Sequence, residues 1–146
     1  MRSKHRHNTF MSESILREKS KEFAKNIVFV TREIKAAKRE SVLTNQLLRS
    51  GTSIGANIHE AQYAQSNADF ISKLEIALKE CFESEHWLNL LFETGCLEES
   101  KYKKLNNDCG LIRKMLISSC RTLKEKNSQY RKSVKDSRIL LSFCNV

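Results

Sequence analysis

An all-α, up-and-down antiparallel four-helix bundle with flexible basic termini is the fold this sequence predicts, and three observations carry it. The 146 residues contain no proline and only four glycines, Gly51, Gly55, Gly95 and Gly110. Sheets and loop-rich folds need many turns, and turns draw on those two residues. Apolar residues recur at steps of three and four, the spacing of one face of a helix. Short polar breaks divide that periodicity into four stretches, which bury their apolar stripes by packing antiparallel.

The first helix is predicted from about Ser14 to Arg39, with its stripe on Leu16, Phe23, Ile27, Val30, Ile34 and Ala37. The second runs from about Ser41 to Gln65 on Leu47, Gly51, Ile54, Ile58 and Ala61. A break at Ser66–Asn67 starts the third, with Ser66 as N-cap and Asp69 as its acidic partner. Its stripe is Ile71, Leu74, Leu78, Cys81, Glu85, Leu88 and Phe92, and Gly95 is a natural left-handed cap. The fourth begins near Glu98–Glu99, where acidic residues suit the positive end of the helix dipole. Tyr102, Leu105, Cys109, Ile112, Leu116, Ser119 and Leu123 form its stripe. Residues 13–126 thus make the bundle. Residues 1–12 read as a disordered basic extension and 127–146 as a polar, basic tail with an apolar end.

No window approaches the roughly 18 apolar residues that a membrane span requires. The five cysteines are scattered without a CxxC pair, which fits reduced thiols in a cytoplasmic protein. The formal net charge is +9, a balance that points to an anionic partner, usually nucleic acid. That charge is unevenly spread. Residues 14–40 and 98–126 each carry a net +4, whereas 67–97 carry −4 and 41–66 are neutral. Lys21, Lys25, Arg32, Lys35 and Arg39 repeat at steps of four, seven, three and four on one face of the first helix. Lys103, Lys114, Arg121 and Lys124 form a similar face on the fourth. First and fourth helices are neighbours in an up-and-down bundle, so one basic side able to track a phosphate backbone is expected. The plainer reading is an ordinary solvated helix surface.

The second helix is nearly uncharged and rich in small residues. A glycine inside a helix costs about 1 kcal/mol relative to alanine. Gly51 and Gly55 therefore imply the close approach of another helix, from the same bundle or from a neighbouring subunit. Asn57 and Glu60 lie on or beside its core stripe, where polar groups need partners. A polar network to the third helix is expected, built from Ser53, Asn57 and Glu60 with Glu80, Glu83 or Ser84.

The run Gln46-Leu47-Leu48-Arg49-Ser50-Gly51-Thr52-Ser53-Ile54-Gly55-Ala56-Asn57-Ile58-His59-Glu60-Ala61 resembles the signature of the four helix bundle protein family, also called the 23S rRNA intervening-sequence proteins. So do Asp69-Phe70-Ile71, Leu74-Glu75-Ile76-Ala77-Leu78-Lys79-Glu80, Glu83-Ser84 and Trp87-Leu88. The resemblance spans roughly residues 15 to 125. It implies a four-helix bundle assembled as a homopentamer, with no enzymatic activity and no cofactor. A similar accessory protein of diversity-generating retroelements implies nucleic acid and a reverse transcriptase as partners. Both termini lie outside the pattern.

Chemistry of other kinds finds little support. Glu83-x-x-His86 is a single copy of a motif that di-metal bundle sites use twice, so no metal is expected. No Cys–His or Ser–His–Asp arrangement supports a nucleophile. Gly51-x-x-x-Gly55 lacks the lysine of a phosphate loop. The expected function is therefore a non-enzymatic oligomeric scaffold that binds RNA or DNA. The alternative is a protein–protein adaptor whose basic faces are incidental.

Overall fold

Where no residue interrupts a helical hydrogen-bond ladder, it runs on until a cap stops it. The computed structural model describes the backbone of residues 2–143 and the side chains of residues 14–135. It contains α1 (Arg2–Lys38), α2 (Val42–Ala61), α3 (Asn67–Glu93) and α4 (Glu99–Phe143). The termini correct the sequence reading. α1 begins at Arg2, so residues 2–12 are helical where a disordered extension was expected. α4 runs to Phe143 and absorbs most of the tail, whose helical fate the sequence left open. Both stretches lack glycine and proline, so no helix breaker interrupts the ladder there.

The caps explain the other boundaries. Arg39 ends α1 with φ 54°, in the left-handed region, while its N–H still donates to the Lys35 carbonyl. A side chain in that conformation costs roughly 1–2 kcal/mol, which is why glycine usually takes such positions. Glu40 then caps α2. Its carboxylate accepts from the backbone N–H groups of Leu43 at 2.9 Å and Thr44 at 3.0 Å. Ser41 offers no side-chain cap. Burial opposes the charge on Glu40, but the N–H donors of Leu43, Thr44 and Val42 outweigh it and hold the carboxyl below its usual range.

α2 stops at Ala61, short of the predicted Gln65, because the N–H groups of Gln62, Tyr63 and Ala64 turn to carbonyls three residues back. Ser66 caps α3 as expected, accepting from the Asp69 N–H at 3.1 Å, and Asp69 accepts in turn from the Gln65 N–H. Gly95 takes the left-handed position after α3, with φ 70°.

Cross-helix pairs record the topology. Lys35 meets Asn45 and Arg17 meets Gln62, so α1 and α2 run antiparallel. Arg49 meets Glu83 while Glu60 meets Lys73, which sets α2 against α3. Glu85 with Arg113 and Glu75 with Lys124 do the same for α3 and α4. α1 returns to α4 through the thinnest of the four seams.

The core holds most of the predicted stripes, but on α3 Leu91 is fully buried while the predicted Leu78 and Phe92 are half-buried. Phe23, Ile27, Leu47, Ile54, Leu88, Leu91, Ile112 and Leu116 are fully buried. Burying one such side chain contributes about 1.5–3 kcal/mol, so the stripes and not intrinsic propensity hold the helices. Ala37 is the exposed member of the α1 stripe, and Glu85 reaches out of the α3 stripe to Arg113. Among the described residues no helix is long and apolar enough to cross a membrane.

Candidate nucleic-acid interface

The placement of the two basic rows follows from the helical turn of about 100° per residue. On α1, Arg17 and Lys35 reach across to α2, at 2.6 Å from Gln62 Oε1 and 2.5 Å from Asn45 Oδ1. Lys21 lies one turn beyond Arg17, and Arg32 and Arg39 flank Lys35 one turn either way. These cations therefore stand on the α2 flank and outer surface of α1. The opposite flank faces α4 through Glu33, whose carboxylate pairs with Lys101 at 2.5 Å. On α4, Lys103, Lys114 and Arg121 lie on one outward line, while Lys124 leans to α3 and pairs with Glu75. The structure thus displays two cationic stripes. The α1–α4 seam between them carries the Glu33–Lys101 pair, where sequence reasoning expected one continuous side.

Ion pairing divides the predicted cations further. Lys25 is held by Glu22 at 2.8 Å, Lys103 by Glu99 at 2.6 Å, and Lys124 by Glu75. Lys35 is bonded to the Asn45 amide. Lys21, Arg32, Arg39, Lys114 and Arg121 have no acidic partner among the described residues, and all are exposed. Exposed pairs of the first kind contribute at most about 1 kcal/mol each, so an incoming phosphate can displace them.

A polar cluster joins α2 to α3 through Glu80, Glu83 and Ser84 of α3, with Arg49 and Ser50 on the α2 side in place of Ser53 and Asn57. Ser84 Oγ donates to Ser50 Oγ at 3.0 Å, and both side chains are buried. Arg49 Nη2 bonds Glu83, and its Nη1 lies 3.7 Å from Glu80 Oε2. The Trp87 indole donates to Glu83 at 3.1 Å. That hydrogen bond and the Arg49 guanidinium hold the Glu83 carboxyl below its ordinary value. Glu80 behaves in the opposite way. One of its oxygens is buried without a hydrogen-bond partner, and burial raises its pKa despite Arg49.

Asn57 turns back to the Ser53 carbonyl of its own helix at 2.9 Å. Glu60 pairs with Lys73 at 2.6 Å. Arg49 is the hub that sequence reasoning missed. It is the sole basic residue of the second stretch and stands one turn before Ser53 on the same flank, which is the signal that marks it.

Gly51 and Gly55 serve the bundle itself. A Cβ on Gly51 would stand 3.0 Å from Ile27 side-chain atoms of α1, and one on Gly55 would stand 3.5 Å from the Ser20 carbonyl. The α1–α2 contact therefore accounts for them, and they lend no support to α2 as a subunit interface.

Cys109 donates to the Cys81 carbonyl at 3.4 Å inside the core. The adjacent Cys81 thiol and burial push its pKa far up, so it stays a neutral packing group. Glu83 and His86 are spent on Arg49 and Trp87, with the His86 ring edge-on to Trp87. Among the described residues no three His, Cys, Asp or Glu side chains gather as a metal site.

Fold and surface together define an antiparallel helical bundle with a packed core, a polar α2–α3 seam and charged outer faces. The chain belongs to the 23S rRNA-intervening sequence protein family, whose model matches residues 12–118. It is similar to a protein of unknown function from the S23 ribosomal protein family of Bacteroides thetaiotaomicron. The two are 48% identical, with 75% of this chain and 98% of that chain covered and a TM-score of 0.74. No curated protein matches the chain.

Proposed function

We propose that the protein is a non-enzymatic, oligomeric scaffold of the cytoplasm that binds RNA or DNA through the cationic stripes of α1 and α4. The observation that carries this reading is the set of unpaired, outward cations Lys21, Arg32, Arg39, Lys114 and Arg121. Phosphates bind such cations by releasing condensed counterions, without reading sequence. The family resemblance supports the same direction, and with it a homopentamer and a partner such as a reverse transcriptase.

Titrating the protein against RNA and DNA duplexes at several salt concentrations tests the reading. Affinity is expected to fall with salt, each phosphate contact adding a slope of about −0.9 in the logarithmic plot. Arg32→Glu combined with Arg121→Glu should weaken binding at least tenfold. Absence of salt-dependent binding with an intact oligomer would refute it. The mass in solution tests the oligomer, and a clean monomer would remove it.

One observation favours the adaptor reading. Phe82 is 51% exposed on the α3–α4 surface, with the Arg113 guanidinium 5.4 Å from its ring centre, and Ile117 of α4 is also exposed. An exposed aromatic ring beside a cation suits a protein partner. Phe82→Asp should then abolish capture of that partner while leaving nucleic-acid affinity unchanged.

A further inference from the structure

α4 outlasts its neighbour. α3 begins at Asn67, and the Glu75–Lys124 pair fixes the antiparallel register between the two helices. Eight residues from Glu75 to the start of α3 therefore carry the contact only to about residue 132 of α4. Leu123, Asn127, Tyr130 and Val134 follow one another at helical spacing along α4, and among the described residues Val134 already lies past the first turn of α3. The result is a cleft of about 760 Å³ between the first turn of α3 and residues 124–135 of α4. That volume falls within the range of about 300–1,000 Å³ usual for small-ligand sites.

The lining has two chemistries. Ala68 and Ile71 of α3 and Val134 of α4 supply an apolar floor, and Tyr130, 72% exposed, supplies an aromatic face. Lys124, Arg131 and Lys135 follow one another at helical spacing along the rim, with Lys132 beside them. Lys124 is tied to Glu75, whereas Arg131, Lys132 and Lys135 have no acidic partner among the described residues. These α4 residues also lie beyond residue 118, where the family match ends. An aromatic face with an apolar floor takes a flat base, and a cationic rim takes the phosphates on either side of it. A duplex keeps its bases stacked inside and presents no free base to such a cleft.

We propose that this cleft binds an unpaired nucleotide of a single-stranded nucleic acid, its base against Tyr130 and Ile71 and its phosphates on Arg131 and Lys135. The proposal rests on the nucleic-acid reading above and adds a site and a strand preference to it. The cationic stripes serve either strand form. The cleft serves the unpaired one.

The test is fluorescence anisotropy on the full chain, with a labelled oligouridylate and a blunt RNA duplex of equal length at one salt concentration. Tyr130→Ala should weaken the oligouridylate about tenfold, the scale of one lost base–aromatic stack, and leave the duplex within about twofold. Tyr130→Phe should restore wild-type affinity. Ultraviolet crosslinking of the oligouridylate should map to Tyr130. Circular dichroism of the variants checks that the helices persist, which the exposure of Tyr130 leads us to expect. An oligouridylate affinity unchanged by Tyr130→Ala overturns the cleft. If Arg32→Glu with Arg121→Glu still weakens binding at least tenfold in that case, the broader reading stands alone. Wild-type protein that binds neither probe removes both.

Discussion

α2 packs against two neighbours by opposite means. Towards α1 it presents glycines, and the seam closes on Ile27 and the Ser20 backbone with little between them. Towards α3 it presents Arg49 and Ser50, and the seam closes through a buried hydroxyl pair and a carboxylate cluster. The first seam depends on space and the second on satisfied polar groups. Each is therefore sensitive to a different substitution. Tight packing tolerates no added volume. A polar seam tolerates volume better than it tolerates an orphaned partner.

The sharpest way to break the contrast is Gly51→Val. Its Cβ alone would stand 3.0 Å from Ile27, and the branched methyls have nowhere to go. A loss of about 3 kcal/mol is expected from overpacking, read as a lower midpoint in urea. The matching test on the other seam is Ser84→Ala, which removes the donor to the buried Ser50 hydroxyl and leaves Ser50 only its bond to the Leu47 carbonyl at 3.3 Å. It should cost about 1–2 kcal/mol, whereas adding Ser50→Ala should recover part of that loss. A double mutant that loses the sum of both single losses would show that the hydroxyls do not act as a pair.

Glu80→Gln should go the other way. A carboxyl whose pKa is raised on folding weakens the fold above its ordinary range, and the penalty fades as pH falls through the raised value. At neutral pH the amide should stabilise by on the order of 1 kcal/mol, and thermal melts should show the gain shrinking on acidification. Glu83 carries the opposite sign. Its lowered pKa contributes stability above the ordinary carboxylate range, and this is lost as pH falls through the lowered value. Of this pair, Glu83 and not Glu80 should therefore add to wild-type acid unfolding, alongside Glu40 at the α2 cap.

The smallest effect is Gly55→Ala. Its Cβ would meet the Ser20 carbonyl at an ordinary 3.5 Å, so the helix-propensity gain of up to about 1 kcal/mol survives in part. A rise of about 0.5 kcal/mol is expected, and a loss would mean that the α1 seam is as tight at Gly55 as at Gly51.

Local signals were legible where the physics is local. The apolar stripes, the Ser66 cap and the left-handed Gly95 depend on neighbours within a turn or two, and the sequence marks them. The helix ends at Arg2 and Phe143 were hidden because neither stretch carries a glycine, a proline or a regular apolar stripe that would mark where the ladder stops. Sequence reasoning placed the basic rows on helix faces but merged them. Which flank of α1 turns to α2 depends on packing, and Glu33 with Lys101 occupies the seam between the rows. The polar cluster was foreseen in place and not in wiring. Ser84 chose Ser50 over Ser53, and Glu83 chose Arg49, because partners across a seam are set by register between helices 34 residues apart in the chain.

By itself the sequence determined four amphipathic helices, an antiparallel order and a surplus of positive charge. Periodicity, chain order and composition are properties of the chain alone. Only the tertiary structure decided that Gly51 makes room for Ile27, that Glu80 is left without a hydrogen bond at one oxygen, and that the basic rows flank a seam. It also opened the cleft, because α3 begins at Asn67 while α4 runs on. Those outcomes depend on the rotation and register of one helix against another. The interactions that fix them act between residues far apart in sequence, and no local pattern records which will meet.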